Sequence, residues 1–296
     1  MTRYHIAALC ALLISSPALA QRYVGQDEET FTWSRRIPSG GSVTIKNFNG
    51  AINITSSSGS EVQIRAEKRV RGERGGASVS DIAFDVDESS EGVMFCTVWR
   101  GDSMCDEDHN MRDVRGSVIL TVAIPRDARL KASTGNGELT VESAGAEVEV
   151  ATGNGRVRVG ATQGRVRAST GNGDIEIEGA RGPVKVSTGN GRVFVATSAG
   201  PVTASTGNGD IDVRMQSLRT DDDMTFSSGS GSIRVTLPAE FNGEIDAGTG
   251  NGSLSSDFAI QLRGRMDPQH VRGTIGSGGR VIRMRTGNGR LELLKS

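Results

Sequence analysis

The chain of 296 residues carries 34 Lys and Arg residues against 35 Asp and Glu residues, a formal net charge of −1. This balance excludes the strongly basic footprint that nucleic acids and anionic membranes select. The 40 glycines and the aromatic content of only 4% favour short strands joined by tight turns.

The N-terminus predicts an export signal over residues 1–20. Arg3 gives a short basic start, residues 6–14 form an apolar run, and Ala18-Leu19-Ala20 is a small-residue cleavage site. An apolar run of this length is too short to span a bilayer. We therefore expect an exported mature chain that starts at Gln21 and has no transmembrane segment.

The two cysteines of this mature chain, Cys96 and Cys105, are predicted to form a disulfide. An exported protein meets an oxidising compartment, and the spacing is not the C-x-x-C of a redox site. Closing a loop this short contributes about 2–3 kcal/mol in the chain-entropy model.

The first part of the mature chain is irregular. Residues 21–39 show little periodicity and are interpreted as a leader segment. Residues 40–130 contain strand-like alternation and an acidic loop with His109, and they are interpreted as an irregular N-terminal β part of the solenoid. Because terminal units cap a stack of repeats, we expect residues 40–60 and 291–294 to protect its two ends.

Residues 131–296 repeat the phrase Thr-Gly-Asn-Gly followed by alternating aliphatic residues. The last glycine of five copies falls at positions 137, 155, 173, 191 and 209, a period of 18 residues. Each unit holds two strand halves whose aliphatic residues face inward. Later copies are looser, with surface insertions at 221–223 and 262–269. The predicted fold class is all-β: a single-chain parallel β-helix or β-solenoid with coils of about 18 residues.

Stacking in register places equivalent residues of successive coils side by side. Glycine suits the sharp turn, and the neighbouring asparagine tolerates the left-handed region. Coils about 4.8 Å apart let threonine and asparagine side chains hydrogen-bond along the stack, while alternating charges contribute roughly 0.2–1 kcal/mol per pair and oppose a slip in register. The predicted asparagine ladder is Asn136, Asn154, Asn172, Asn190 and Asn208, and the predicted charge ladder is Glu138, Arg156, Asp174, Arg192 and Asp210.

Two stretches carry a family resemblance. Ile124-Pro125 leads by a short link into the Thr-Gly-Asn-Gly units, and residues 228–238 read Ser-Gly-Ser-Gly-Ser-Ile-Arg-Val-Thr-Leu-Pro. This pattern resembles the bacterial adhesin-like family known as domain of unknown function 4097, over roughly residues 40–295. The resemblance implies a right-handed-type β-solenoid in the bacterial envelope, and it supplies no catalytic residues.

The sequence predicts no catalytic, cofactor or metal site. A calcium ladder needs a carboxylate in nearly every coil, whereas Arg156 and Arg192 alternate with the acidic residues. Asp174 and Asp210 are two coils apart, but the cation Arg192 between them is expected to favour the charged form of both, which does not suit a general acid. The acidic run at 106–109 is interpreted as a solvated loop.

These observations predict a non-catalytic, exported cell-envelope β-solenoid that acts as an adhesin or as a binding or scaffold protein. We expect it in the periplasm, at the cell surface or secreted, with an envelope protein or a glycan as partner rather than nucleic acid. A partly basic outward strip of Glu149, Arg167, Lys185 and Thr203 is a candidate contact surface, although the plainer interpretation is a solvated face. Two alternatives stay open: a polysaccharide-active β-helix enzyme, and a periplasmic sensor or stress-response accessory protein.

Overall fold

The computed structural model describes residues 21–23, 28–70, 76–106, 114–218, 221–263, 267 and 269–296. The predicted signal at 1–20 and His109 of the acidic loop lie outside the described residues. Across these ranges the one helical element is a short 3-10 turn at Val79–Asp81. The predicted all-β solenoid class is confirmed.

The N-terminal part mixes parallel and antiparallel strands. Strands β3 and β4 pair in parallel with the first strands of the regular array on one side and with β7 and β9 on the other. Their neighbours further out, β5 with β9 and β6 with β7, pair antiparallel. The strands are β1 Gln21–Tyr23, β2 Thr30–Arg36, β3 Ser42–Asn47, β4 Ile52–Ser57, β5 Glu61–Val70, β6 Ile82–Glu88, β7 Gly92–Trp99, β8 Asp102–Ser103 and β9 Gly116–Pro125.

The segment interpreted as a leader contains two strands, β1 and β2, and β1 pairs antiparallel with β6. Strand β2 pairs antiparallel with β5 at the edge of its sheet. Its inward residues Phe31 and Trp33 pack against Phe84 and Phe95, with the Phe31 and Phe84 ring centroids 4.7 Å apart. Aromatic packing therefore holds a segment that its weak periodicity did not identify.

The regular array stacks strand on strand in parallel, and its register shifts at one place, between Glu178 and Ala180 where β15 pairs with β17. Val148 pairs with Val166, Val166 with Val184, and Val184 with Val202. The strands are β10 Arg129–Asn136, β11 Leu139–Ala144, β12 Val148–Asn154, β13 Val157–Thr162, β14 Val166–Asn172, β15 Ile175–Ala180, β16 Val184–Asn190, β17 Val193–Thr197, β18 Val202–Asn208 and β19 Ile211–Met215.

The C-terminal strands do not stack in chain order. The last two, β26 and β27, lie between the coil of β20 and β21 and the coil of β22 and β23. Strands β24 and β25 add an antiparallel pair beyond β22. These strands are β20 Met224–Ser230, β21 Ile233–Leu237, β22 Gly243–Asn251, β23 Leu254–Ser256, β24 Ile260–Leu262, β25 His270–Ile275, β26 Val281–Asn288 and β27 Leu291–Lys295.

The strands form two sheets, which we call the larger sheet (15 strands) and the smaller sheet (12 strands). Strands β1 and β24 are the edges of the larger sheet, and β2 and β23 are those of the smaller sheet. The expected capping by residues 40–60 and 291–294 is therefore wrong. Both segments lie inside the stack, because antiparallel strands and the out-of-order coil cover them.

The space between the two sheets is filled by aliphatic residues from alternate positions. Val141, Val159, Ile177 and Val195 of successive coils are each at most 1% exposed, and they belong to one continuous hydrophobic cluster. Because the inward residues of the strands are apolar, any binding residues must lie at the outward positions or in the turns.

Candidate functional site

The repeated glycines lie where the backbones of successive coils touch. Gly155 has φ +151°, and a Cβ atom there would lie 2.0 Å from the carbonyl oxygen of Gly137. Among the described residues only Arg100 combines a side chain with positive φ. The expectation that asparagine uses the left-handed region at these turns is therefore wrong, because glycine alone supplies that conformation.

Asparagine and threonine join the coils in different ways. Asn154 donates from Nδ2 to Oδ1 of Asn136 at 2.8 Å, and Asn172, Asn190 and Asn208 continue the ladder at the same distance. Threonine side chains are buried and bond to backbone rather than to each other. Thr152 donates to the carbonyl oxygen of Gly137, and Thr170 donates to that of Gly155, both at 3.0 Å.

Residues of the predicted charge ladder make mostly backbone contacts. One oxygen of Asp174 accepts a hydrogen bond from the backbone N–H of Arg192 at 2.8 Å, and Asp210 accepts one from Ser232 at the same distance. Arg156 approaches Asp174 at 4.0 Å. Glu138 instead pairs with Arg158 on the smaller sheet, at 2.9 Å. Both aspartates therefore join successive coils, which is a structural use of their carboxylates.

The predicted cysteine pair lies at the N-terminal end of the larger sheet. Cys96 of β7 and Cys105 are joined by a disulfide, with their Cα atoms 5.5 Å apart. The link ties the short strand β8 and the start of the acidic loop to β7.

The outer face of the smaller sheet is neutralised by ion pairs. Arg158 lies 3.1 Å from Glu176, and Arg234 lies 2.7 Å from Glu292. Asp212 pairs with Arg214, whose guanidinium lies over the ring of Phe194 at 5.3 Å. This face therefore offers few free charges to a partner.

The outer face of the larger sheet is organised differently. Glu149, Arg167, Lys185 and Thr203 are successive neighbours in one row, as direct register partners on β12, β14, β16 and β18. Glu149 turns to Lys131, with Oε1 and Nζ 3.3 Å apart. Within the described part of the chain no carboxylate pairs with Arg167 or Lys185, and both side chains are exposed.

A row of small polar residues runs beside these charges. Two positions further along each strand except β12, which has Ala151 there, the array presents hydroxyl groups that have no hydrogen-bond partner among the described residues. This row was not predicted from the sequence, although the 18-residue period gives the positions of its members from Ser133 to Ser205 directly. Its members, in register, are Ser133, Ala151, Ser169, Ser187, Ser205 and Ser227.

A second charged cluster ties the C-terminal strands together around Asp246 of β22. Its Oδ1 accepts hydrogen bonds from His270 at 2.8 Å, Arg272 at 3.2 Å and Arg285 at 2.7 Å. Burial alone raises the pKa of Asp246, but the three hydrogen bonds outweigh burial and hold this pKa well below its usual range. The sequence could not bring these residues together, because their contact depends on strand β25 folding back beside β22.

Within the described ranges, no cluster of three or more His, Cys, Asp or Glu side chains is placed to hold a metal ion. In the same residues, no helix is long and apolar enough to cross a membrane.

A family model described as Toastrack DUF4097 matches residues 42–293. No curated protein sequence matches the chain. A solved structure described as a candidate adhesin from Bacteroides fragilis is 12% identical, with a TM-score of 0.49, over 91% of this chain and 98% of that one. Another candidate adhesin, from Parabacteroides merdae, is 11% identical, with a TM-score of 0.45, over 90% of this chain and 96% of that one.

Proposed function

The chain belongs to the Toastrack DUF4097 family, and from that premise we propose that it is a non-catalytic, exported protein that binds or scaffolds another component of the bacterial cell envelope. The observation that carries the proposal is the outer face of the larger sheet. Its strands stack in unbroken register from β3 to β20, and this face carries exposed cations and hydroxyl groups that the protein itself does not use. A long, regular and rigid surface of this kind suits an extended or repetitive partner.

The acidic residues that could have served in hydrolysis support a binding role rather than a catalytic one. Asp174 and Asp210 each accept a backbone N–H of the next coil, so each has a structural partner. Glycoside hydrolysis needs two carboxyl groups that converge on one bond, with one of them protonated. The charged residues of the smaller sheet are likewise engaged in pairs with one another.

Export is supported by the predicted signal at residues 1–20 and by the Cys96–Cys105 disulfide. Protease treatment of intact producing cells, followed by detection of the protein in envelope fractions, tests the location. Loss from unbroken cells supports a surface adhesin or scaffold. If the protein resists the protease until the outer layer is breached, the adhesin hypothesis is overturned and a periplasmic binding protein is supported. Recovery in the cytoplasm alone overturns the whole proposal.

Binding itself is tested with the purified mature chain and washed envelope preparations from the same cells. We expect saturable co-sedimentation with the envelope material and no release of soluble sugar from it. Failure to co-sediment contradicts the binding role. Depolymerisation of envelope glycans by the purified protein would establish the enzyme alternative instead.

A further inference from the structure

We propose that Arg167 and Lys185, with the serine row beside them, form a binding site for a linear acidic glycan that runs across the strands, along the solenoid axis. The inference rests on the proposed function for the presence of the ligand in the envelope. It goes further by naming the ligand's chemical class, its position and its direction.

The first observation is an exception to the charge pattern of the molecule. Arg167 and Lys185 are direct register partners on β14 and β16. Every other register pair of two charged residues in the described strands joins opposite charges, as in Arg158 with Glu176 or Asp246 with Arg272. Like charges placed directly opposite each other destabilise a sheet. An anion lying across both side chains would remove this repulsion.

The second observation is that no carboxylate among the described residues forms an ion pair with Arg167 or Lys185, although Glu149 is the register partner of Arg167. The nearest acidic neighbour in the row, Glu149, is held by Lys131 at 3.3 Å. Arg165, on the same face, has its own partner in Glu147 at 3.8 Å. Arg167 and Lys185 are therefore the two cations of this row that remain available to an external anion.

The third observation is the hydroxyl row. Ser169, Ser187 and Ser205 lie two residues beyond Arg167, Lys185 and Thr203 on the same strands. Their hydroxyl groups have no partner in the described structure, and each can both donate and accept a hydrogen bond. A strip of cations beside a strip of hydroxyl groups matches a sugar chain, which presents carboxylates and hydroxyl groups together.

The surroundings favour a glycan over other polyanions. The outward array positions of this sheet carry no aromatic residue on which a nucleic-acid base could stack. Two free cations in a chain of net charge −1 give little of the phosphate neutralisation that nucleic acids require. From β10 to β20 the outward strand positions of this face carry no apolar side chain larger than that of Ala151, so nothing there could enter a bilayer. Because the two cations lie on neighbouring strands and the hydroxyl groups recur along the stack, the ligand extends along the axis.

The test measures binding of the purified mature chain to polygalacturonate, with neutral dextran as the uncharged comparison. The variant R167T/K185T places in this row the residue that already occupies it at Thr203 and Thr225, so the fold is preserved. The matched control R192S/R290S removes the same charge from the turn edge, where Ser232 and Ser253 occupy equivalent positions. Within the described residues the side chains of Arg192 and Arg290 make no ion pair.

We expect the wild type to bind polygalacturonate but not dextran, with affinity that falls as salt screens the charges. R167T/K185T should bind about tenfold more weakly, and R192S/R290S within about twofold of the wild type. A third variant, S169A/S187A, should weaken binding while leaving its salt dependence unchanged. Thermal unfolding of each variant checks that it is folded.

Three results overturn the inference: no binding of the wild type to polygalacturonate, equal loss in the control variant, or tighter patch-dependent binding to single-stranded DNA or phosphatidylglycerol vesicles. If the wild type still co-sediments with envelope preparations while ignoring polygalacturonate, the acidic-glycan site falls and the proposed function stands. If the wild type neither co-sediments with envelope preparations nor binds polygalacturonate, the proposed function and the acidic-glycan site are both overturned.

Discussion

Asn172 donates a hydrogen bond from Nδ2 to Oδ1 of Asn154 and accepts one at its own Oδ1 from Asn190, both at 2.8 Å. The amide of an interior asparagine thus joins three successive coils. Asn208 has only one ladder bond, to Asn190, because Ser230 occupies the next coil. The number of bonds, rather than the residue type, should set the effect of each substitution.

Replacing Asn172 by alanine should therefore cost more than replacing Asn208. Each hydrogen bond contributes about 0.5–1.5 kcal/mol, so N172A should destabilise by about 1–3 kcal/mol and N208A by about half of that. Thermal unfolding of the two variants measures the difference. Equal losses would contradict a continuous ladder.

Gly155 is expected to tolerate no side chain. A Cβ atom would lie 2.0 Å from the oxygen of Gly137, and the φ of +151° disfavours any other residue. We expect G155A to lose more than about 3 kcal/mol or to be recovered unfolded. The control is G59A, whose Cβ would have its nearest neighbour at 4.0 Å; it should unfold within about 0.5 kcal/mol of the wild type. A soluble G155A with wild-type unfolding would refute the close coil contact.

The sequence predicts the regular array well because the length of the repeat determines several structural features at once. A period of 18 residues with two equivalent halves determines the register, the inward residues and the row that contains Arg167 and Lys185. The repeated Thr-Gly-Asn-Gly phrase does not determine the order in which the C-terminal coils stack. The copies that contain Gly250 and Gly287 are nearly identical, so either can follow Gly229. The structure places Gly287 next to Gly229 and Gly250 beyond it, which no periodicity reveals.

Long-range contacts explain the remaining differences from expectation. Strand β2 is held by aromatic packing on β6 and β7. The sequence around its aromatic residues does not indicate which distant residues they contact. The cluster around Asp246 needs β25 to return antiparallel to β22. A sequence pattern that repeats identifies the repeated elements. These contacts each occur once, so no repeated pattern predicts them.

Reversing the charge of Lys185 should stabilise the fold while it removes the proposed glycan site. K185E places an acid beside Arg167, so the row alternates in sign from Lys131 to position 185. We expect a gain of about 0.2–1 kcal/mol in the free energy of unfolding. The opposite-sign control is R158E, which breaks the pairs with Glu176 and Glu138 and should destabilise. A loss of stability in K185E would show that Lys185 has a structural role.

The disulfide predicts the thiol content of the exported protein. Denatured mature chain without reductant should show no reactive thiol, and reduction should release two. C96S/C105S should be less stable by about 2–3 kcal/mol, as expected for closure of a short loop. The wild type, unfolded and refolded in reductant, should lose a similar amount, since both changes remove the same cross-link. Two reactive thiols in unreduced protein would contradict the pairing.

Asp246 is expected to make the C-terminal end of the solenoid sensitive to acid. The pKa of its carboxyl is lowered in the folded protein, against about 3.9 in an unfolded chain. A lowered folded pKa means that the unfolded state binds the proton more readily. The contribution of Asp246 is therefore complete above about pH 4 and is lost as the pH falls further, towards the folded pKa.

The substitution D246N tests this contribution. It leaves Arg272, Arg285 and His270 without their shared anion, and we expect a loss of about 1–3 kcal/mol at pH 7. Below pH 4 the wild type should lose stability more steeply than D246N, so that the two unfolding curves converge. The control D222N removes the same charge from an exposed insertion, where Asp222 has no described partner, and should follow the wild type at every pH. If D246N and the wild type stay separated by a constant amount down to pH 2, the ionised carboxylate is not what holds β22, β25 and β26 together.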